Sequence, residues 1–540
     1  MTTDAPVLTE SHAVGVSTPP VRETTLGGIL REAADAHPDR IALVDGSPDP
    51  AARRRWTYRE LHEEATSVAQ ALSTRFTPGE RIAVWAPNSP EWVILEFGCA
   101  MAGLVIVTVN PGFRAGELSY VLTQSGAAGL FVVSDFRGNP MFATAMQVQP
   151  ECRDLREIIR FDDWGDFVGT ASEFRGELPE PTPDDAVMIQ YTSGTTGFPK
   201  GAFLHHRGLT NNAAHFFDRM GLGEGSVMVG TMPLFHTAGS VMGVLGCVGS
   251  ASTHVIVEAF EPGLVLALLD EYEAEAMVGV PTMLIAMLEH PTFADRDLSH
   301  LKGVCSGGSL VPDALVRRFE ADLGAPFTIV FGQTECSPVA TMTHPTDTIE
   351  DKAGTIGLPM PNVEVKIIDT ETGATQPIGA IGEFCTRGYH VMRGYFEMAE
   401  QTAETIDDEG WLHTGDLCAM DSRGYCTVEG RLKDMIIRGG ENIYPKEIEE
   451  LLFQHAAVGE VAVVGLPDDT WGETVGAFIR PAPDHDVDKN TLFAYLREHL
   501  APHKTPKQWF VIDEFPFTGS GKIQKYKLRE QWQAGAFTEL

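Results

Sequence analysis

From Val187 onward the chain reads as a short apolar strand, Val187–Tyr191, that runs straight into the string Tyr191-Thr192-Ser193-Gly194-Thr195-Thr196-Gly197-Phe198-Pro199-Lys200-Gly201. No other segment restricts the fold so closely. Glycines let the backbone curl until its N–H groups point inward, and the hydroxyls and the lysine add further donors suited to phosphate oxygens. The loop is not a P-loop of the usual kind, because Lys200 follows Pro199 and is followed by Gly201 rather than Ser or Thr.

Around this loop the chain alternates short apolar runs with helical stretches. Arg81–Ala86, Leu104–Val109 and Leu130–Ser134 read as strands and Leu61–Leu72 as a helix, the rhythm of α/β units. After the acidic, Pro-rich linker Glu177–Asp185, further strands are predicted at His254–Glu258, Ala276–Val280, Gly303–Ser306 and Phe327–Phe331. The texture then turns β-rich, with strands at Val363–Asp369 and Gly382–Thr386. Near Arg431–Asp434 the pattern changes again. Tyr444-Pro445 opens a helix with Ile448, Leu451 and Leu452 on one face, and strands Glu460–Val464 and Thr474–Ile479, a helix after Asn490 and a strand near Phe510–Ile512 follow. The expected fold class is α/β: a large N-terminal domain, 1–431, of α/β subdomains plus a β-rich subdomain, and a small α+β C-terminal domain, 432–540, whose mobility is implied by the family resemblance of the segment Gly430–Asp434. Residues 1–25 read as a loose tail.

A chain of 540 residues calls for at least two domains, and 43% hydrophobic residues suit a soluble enzyme. The net charge of −35 argues against nucleic-acid partners and anionic lipid. Anionic small molecules remain compatible with it if they meet locally positive pockets. The eight cysteines form no C-x-x-C pair and read as buried thiols of a reducing compartment. Met1–Gly15 has no signal-peptide pattern. The stretch Gly225–Val257 lacks acidic and basic side chains but is broken by Pro233, His236 and glycines, so it reads as core rather than as a membrane span. The expected location is the cytoplasm, with no stable membrane insertion. A homodimer is compatible with the sequence, which carries no signal for or against it.

The string 191–201 resembles the phosphate-loop signature of adenylate-forming enzymes, the superfamily of acyl-CoA synthetases, luciferases and peptide-synthetase adenylation domains. Further signatures follow in the family's order. Phe331-Gly332-Gln333-Thr334-Glu335 resembles the segment whose aromatic ring stacks on adenine, whose Thr contacts phosphate and whose Glu holds Mg²⁺. Phe331 stands where Tyr is commoner, so stacking survives and a phenol hydrogen bond does not. Gly410-Trp411-Leu412-His413-Thr414-Gly415-Asp416 resembles the segment whose Asp binds both ribose hydroxyls. Gly430-Arg431-Leu432-Lys433-Asp434 resembles the hinge, with Arg431 a second ribose contact and Lys433 the pivot. Ser520-Gly521-Lys522-Ile523 resembles the loop carrying the catalytic lysine, and Gly439-Gly440-Glu441-Asn442 the loop bordering the coenzyme A tunnel.

The resemblance implies a reaction using ATP, Mg²⁺, a carboxylic acid and coenzyme A. Attack of a carboxylate on the α-phosphate sets two anions against each other, so Lys522, Thr192 and Mg²⁺ on Glu335 are the expected catalytic groups. Ser193, Gly194, Thr195, Thr196, Gly197 and Lys200 would hold phosphates, and Gly307-Gly308 would lie along adenine. His236, Gly239 and Val280 are the expected acyl-pocket residues. The small-residue stretch Thr237–Ser252, with Val241, Met242, Val244 and Leu245, is expected to form a deep slot for an aliphatic chain. An aryl-CoA ligase and an enzyme loading a carrier protein stay open as alternatives. A luciferase-like oxygenase is disfavoured by Ile437, which stands where luciferases carry a second lysine. A non-catalytic nucleotide sensor is disfavoured by the presence of both Glu335 and Lys522.

Overall fold

The computed structural model describes residues 7–192, 199–308, 311, 313–439, 441–468, 470–483, 485–517 and 523–540. Four sheets organise them. The first runs, edge to edge, Glu157–Arg160, Ala127–Val132, Arg81–Trp85, Val105–Val109, Ala186–Thr192 and Lys200–His205. All neighbours are parallel except the last pair. Every residue of Val105–Val109 and Ala127–Val132 is buried, as expected where helices cover both faces of a parallel sheet. Helix Tyr58–Ser73 starts at a capping box between Thr57 and Glu60, and helix Pro90–Met101 starts at a Ser89 cap followed by Pro90.

The second sheet has nine strands. Its middle, from Phe327–Phe331 through Gly303–Gly307, Ala276–Val278, Val227–Gly230 and Thr253–Ile256 to Ile41–Asp45, is parallel. The third is antiparallel, in the order His12–Val14, Val363–Ile368, Gly382–Gly388, Leu412–Met420, Cys426–Arg431. A smaller C-terminal unit holds the fourth sheet, built on the long pair Val458–Asp468 and Gly472–Pro481. It has its own cores: Ile448, Leu452, Leu492, Leu496 and Trp509 on one side, Leu466, Phe510, Phe515 and Leu528 on the other.

Two expectations are corrected. Within 1–25, expected to be a loose tail, residues 7–25 are described and include an edge strand, His12–Val14, against Glu364–Lys366, too short for its periodicity to register in sequence. The stretch Thr237–Ser252 forms no open slot along Val241, Met242, Val244 and Leu245, which are all sealed in the core. Ala238–Leu245 is a π-helix running into a short α-helix, and its small residues serve close approach. A Cβ on Gly246 would strike the Phe217 ring, and one on Gly239 the Pro233 carbonyl.

Side-chain amides bolt the layers together. Asn88 Nδ2 donates to the carbonyls of Met232 (3.1 Å) and Val257 (3.0 Å), while its Oδ1 accepts from Leu234 N–H (2.8 Å). Buried Asn212, on helix His206–Arg219, holds both backbone groups of Val339: Nδ2 donates to the carbonyl (2.7 Å) and Oδ1 accepts from the N–H (3.0 Å). Asn212→Ala orphans both groups, and each should cost about 1–3 kcal/mol. We expect a lowered urea midpoint in tryptophan fluorescence, whereas the exposed Asn490→Ala should leave that midpoint in place.

Candidate active site

Strands Ala186–Thr192 and Lys200–His205 are antiparallel, with Thr192 directly opposite Lys200. The strands flanking the glycine-rich string are therefore paired, with Lys200–His205 at the sheet edge. Thr192 Oγ1 lies 3.4 Å from the Lys200 carbonyl. Ser193, Gly194, Thr195, Thr196 and Gly197 lie outside the described residues, as do Gly440 and Lys522.

One buried side chain of this strand pair gathers two other motifs. Gln190 Oε1 accepts the backbone N–H of Thr237 (2.9 Å) and faces the Thr334 hydroxyl at 3.4 Å. Thr108 Oγ1 donates to the Phe235 carbonyl from the neighbouring strand (2.9 Å). The His236 segment, the Phe331–Glu335 segment and the strand pair thus meet around the Gln190 side chain. His236 is half-buried and its Nδ1 accepts from Ala238 N–H (3.2 Å). Val280 caps helix Pro281–Leu288.

Thr334–Cys336 is a single 3-10 turn leaving strand Phe327–Phe331. Gly332 is demanded by close approach, since a Cβ there would strike the Pro338 carbonyl, and Gly307 likewise packs on Val330. Gly308 takes φ +74, open to glycine without strain. Phe331 meets Phe384 edge to face at 5.1 Å. Glu335 is buried: its backbone carbonyl accepts from Met392 N–H (2.9 Å) and its Oε1 accepts from the Tyr395 hydroxyl (2.8 Å). Lys200 Nζ lies 4.6 Å over the Tyr395 ring. Tyr395 therefore touches both the Lys of the strand pair and the Glu of the 3-10 turn, and burial together with the Glu335 carboxylate pushes its phenol pKa upward.

The Asp416 carboxylate is held from both sides. Gln333 Nε2 donates to Oδ2 (2.9 Å) and also to the Thr414 carbonyl (2.8 Å), and Arg431 Nε donates to Oδ1 (3.1 Å). Asp416 and Arg431 are cross-strand partners, so the pair is set by register. Lys433 follows in a 3-10 turn. Its side chain has an exposed flank, yet desolvation, with Arg431 and Lys200 as neighbouring cations, pushes its ammonium down to about 8. The exposed flank works against that shift. Gly439, at φ +62, lies against the Trp471 ring and donates its N–H to the Trp471 carbonyl (2.8 Å).

His205 ends a strand and His206 begins a helix. His205 Nδ1 caps that helix by accepting from Gly208 N–H (3.1 Å), and His206 Nδ1 accepts from Leu26 N–H (3.2 Å). Burial pushes His206 down to about 4, so it is neutral. Sequence reasoning missed Gln190 and Tyr395. Gln190 leaves a faint trace, as the one amide inside the apolar run Val187–Tyr191, whereas Tyr395 leaves none, because its role arises from strand Lys200–His205 packing against residues 393–396.

Residues 30–396 match the family model "AMP-binding enzyme" and residues 447–522 match "AMP-binding enzyme C-terminal domain". YngI of Bacillus subtilis (strain 168) is 39% identical, aligned over 94% of this chain and 97% of that protein. The mitochondrial medium-chain acyl-CoA ligase ACSF2 of Rattus norvegicus is 34% identical over 97% of this chain and 89% of its own length. Among solved structures, ATP-bound MatB from Rhodopseudomonas palustris superposes with a TM-score of 0.83 at 28% identity, covering 94% of this chain and 99% of that one.

The Lys433 environment has a pH signature. Between about pH 8 and the ordinary 10.5 the folded state has released a proton that the unfolded state keeps, so this group's contribution to stability rises with pH. Below that window the charged amine is a liability. Lys433→Met, which keeps the stem, should therefore be more stable than the parent at pH 7, by a margin that shrinks towards pH 10.5. Urea midpoints of the two proteins across that range check it, and a margin independent of pH would contradict it.

Proposed function

The chain belongs to the AMP-binding enzyme family, and from that premise we propose how its site works as an ATP-dependent acyl-CoA synthetase. The enzyme converts a carboxylic acid and ATP to an acyl-adenylate and pyrophosphate, then transfers the acyl group to coenzyme A with release of AMP. The observation that carries this reading is the convergence of distant segments. Gln190 joins the strand before the phosphate-like string to the His236 and Thr334 segments, Tyr395 joins Lys200 to Glu335, and Gln333 joins that turn to Asp416.

In the proposed scheme Asp416, already oriented by Gln333 and Arg431, accepts the two ribose hydroxyls, a diol being well matched to one carboxylate. Phe331, with Gly332 and the Gly307-Gly308 turn, walls the adenine. Thr192, Lys200, Thr334 and the residues of the string 193–197 donate to phosphate oxygens. Glu335 suits Mg²⁺, which typically takes one or two carboxylates plus phosphates and keeps several waters, and the Tyr395 hydroxyl on Oε1 leaves the other carboxylate oxygen for the ion. Bound there, Mg²⁺ supplies neutralisation of phosphate charge. Lys522 brings a second cation to the α-phosphate for adenylation. The small domain, 432–540 against 1–431, pivots near Arg431–Asp434, so that the Gly439-Gly440 loop replaces Lys522 during thioester formation.

The substrate class we propose is an unbranched aliphatic acid of medium length, on the strength of the similarity to medium-chain acyl-CoA ligases. It enters past His236, Gly239 and Val280. The core packing of Val241 and Leu245 removes the deep slot as an argument for longer chains. The charge of −35 supports an enzyme without nucleic-acid partners, and eight buried unpaired thiols support the cytoplasm as its place of work. Among the described residues no helix is long and apolar enough to cross a membrane.

Pyrophosphate release measured over a panel of acids tests the function, and benzoate preferred over octanoate in competition would overturn the aliphatic assignment. Lys522→Ala should abolish adenylation, at a cost of about 3 kcal/mol or more, while sparing thioester formation from supplied acyl-adenylate. Equal loss of both half-reactions would contradict the two-position scheme. Tyr395→Phe removes only the hydroxyl on Glu335. A hydrogen bond to a charged group contributes about 1.5–3 kcal/mol, so the Mg²⁺ requirement should rise roughly tenfold or more while calorimetric affinity for the metal-free nucleotide stays put.

A further inference from the structure

A second constellation of ligating atoms lies on the third sheet, near the start of the strand that carries Asp416. Glu383 and Cys385 are two residues apart on strand Gly382–Gly388 and so share a face, with a register shift between them. Cys385 stands directly opposite His413 on the neighbouring strand. One oxygen of Glu383, the Cys385 sulfur and a ring nitrogen of His413 all lie within 4.8 Å of one another. We propose that these three side chains form a binding site for a divalent transition ion of the Zn²⁺ type, with a fourth position open to water.

The geometry is close to what such an ion needs. With metal–sulfur and metal–nitrogen bonds of about 2.3 and 2.0 Å, the S···N edge of a tetrahedral site is about 3.5 Å. Cys385 Sγ and His413 Nδ1 are 3.6 Å apart. The N···O edge, about 3.3 Å in the same geometry, is here the 2.9 Å hydrogen bond between His413 Nδ1 and Glu383 Oε2, so the ion replaces one proton and opens the pair by a few tenths of an ångström.

The surrounding groups match the supporting shell that metal-bound residues usually have. A ligating histidine commonly gives its other ring N–H to a carboxylate, and His413 Nε2 lies 3.6 Å from Asp407 Oδ2. Glu383 keeps its remaining oxygen engaged, since Oε1 accepts from Gly415 N–H (3.0 Å). Access is from the His413 side, whose side chain is 27% exposed, while Cys385 is sealed beneath. Lys366, across from Cys385 on the other side, is drawn off over the Trp411 ring at 4.1 Å.

Binding as a thiolate breaks the Cys385 S–H bond, forms an S–metal bond and sends the proton to solvent. Nothing in this site depends on the synthetase reading. The hard Mg²⁺ of the nucleotide site prefers oxygen ligands and would not compete for a thiolate.

The test uses the full chain, stripped of metals at pH 8 and titrated with Co²⁺ as a visible probe. We expect one equivalent to bind with a thiolate-to-cobalt charge-transfer band, displaced by Zn²⁺ and untouched by excess Mg²⁺. The band should vanish in Cys385→Ser, persist in Cys418→Ser, and require at least about tenfold more Co²⁺ in His413→Gln. Absence of a saturable band, or its survival in Cys385→Ser, overturns the site. Should Cys385→Ser fail to fold, Zn²⁺ calorimetry on the parent chain in two buffers decides instead. Release of at least one proton per ion supports a thiolate ligand, and binding without proton release, or no binding, overturns it.

Discussion

Gln190 sits one residue before the end of the strand's apolar run, almost completely sealed, with its carboxamide oxygen facing the Thr237 N–H and the Thr334 hydroxyl. A buried amide is tolerated only when its polar atoms are satisfied, because an orphaned one costs about 1–3 kcal/mol. Satisfying it here forces the edge of the first sheet, the start of the π-helix and the 3-10 turn after Phe331 to meet at one point. The amide thereby ties a strand of the first sheet to the turn that follows a strand of the second. Asn88, Thr108 and Asn212 repeat the device nearby, each bonding side chain to backbone across layers. Backbone partners make such joints insensitive to which apolar residues fill the rest of the core.

The order of the motifs and the alternation of strands with helices were legible in the sequence because both are local. Val105–Val109 is a strand whose every residue is buried, and its run of β-branched residues, apolar except for Thr108, announced that. The loop 191–201 announced a turn after its strand through its glycines, while the antiparallel pairing of Thr192 with Lys200 did not show in the sequence. Tyr395 and Glu383 were not legible, since a tyrosine after a glycine and a glutamate in a strand acquire meaning only from partners about 30 to 195 residues away, Glu335 and Lys200 for one, His413 and Gly415 for the other. The small-residue stretch after His236 misled for a related reason. Glycine and alanine mark either empty space or close approach, and only the ring of Phe217 against Gly246 tells which.

A chain of net charge −35 that binds ATP has to concentrate its cations. Lys200, Arg431 and Lys433 lie close together, so that the first two add to the desolvation that depresses the third. Asp416 and Glu335 sit among them, so the site carries alternating signs rather than a uniform positive field. Such a mixture favours a ligand that is itself mixed, with a neutral diol at one end and phosphates at the other. The acidic exterior then adds selectivity, because a polyanion without a fitting diol meets repulsion everywhere else.

The Asp416–Arg431 pair also bears on how the two halves of the reaction alternate. Arg431 is the last residue of the third sheet and the first step into the turn Leu432–Asp434, beyond which Ile436–Arg438 joins the fourth sheet. A nucleotide seated on Asp416 would therefore act at the root of the segment proposed as the pivot, with Arg431 bonded to the carboxylate from the hinge side. Rotation about residues after Arg431 leaves this bond intact, while rotation before it would break the register of Asp416 with Arg431. The cheaper movement lies C-terminal to Arg431, where backbone pairing ends and the turn Leu432–Asp434 begins. A pivot placed there lets AMP stay seated while the small domain changes the face it presents.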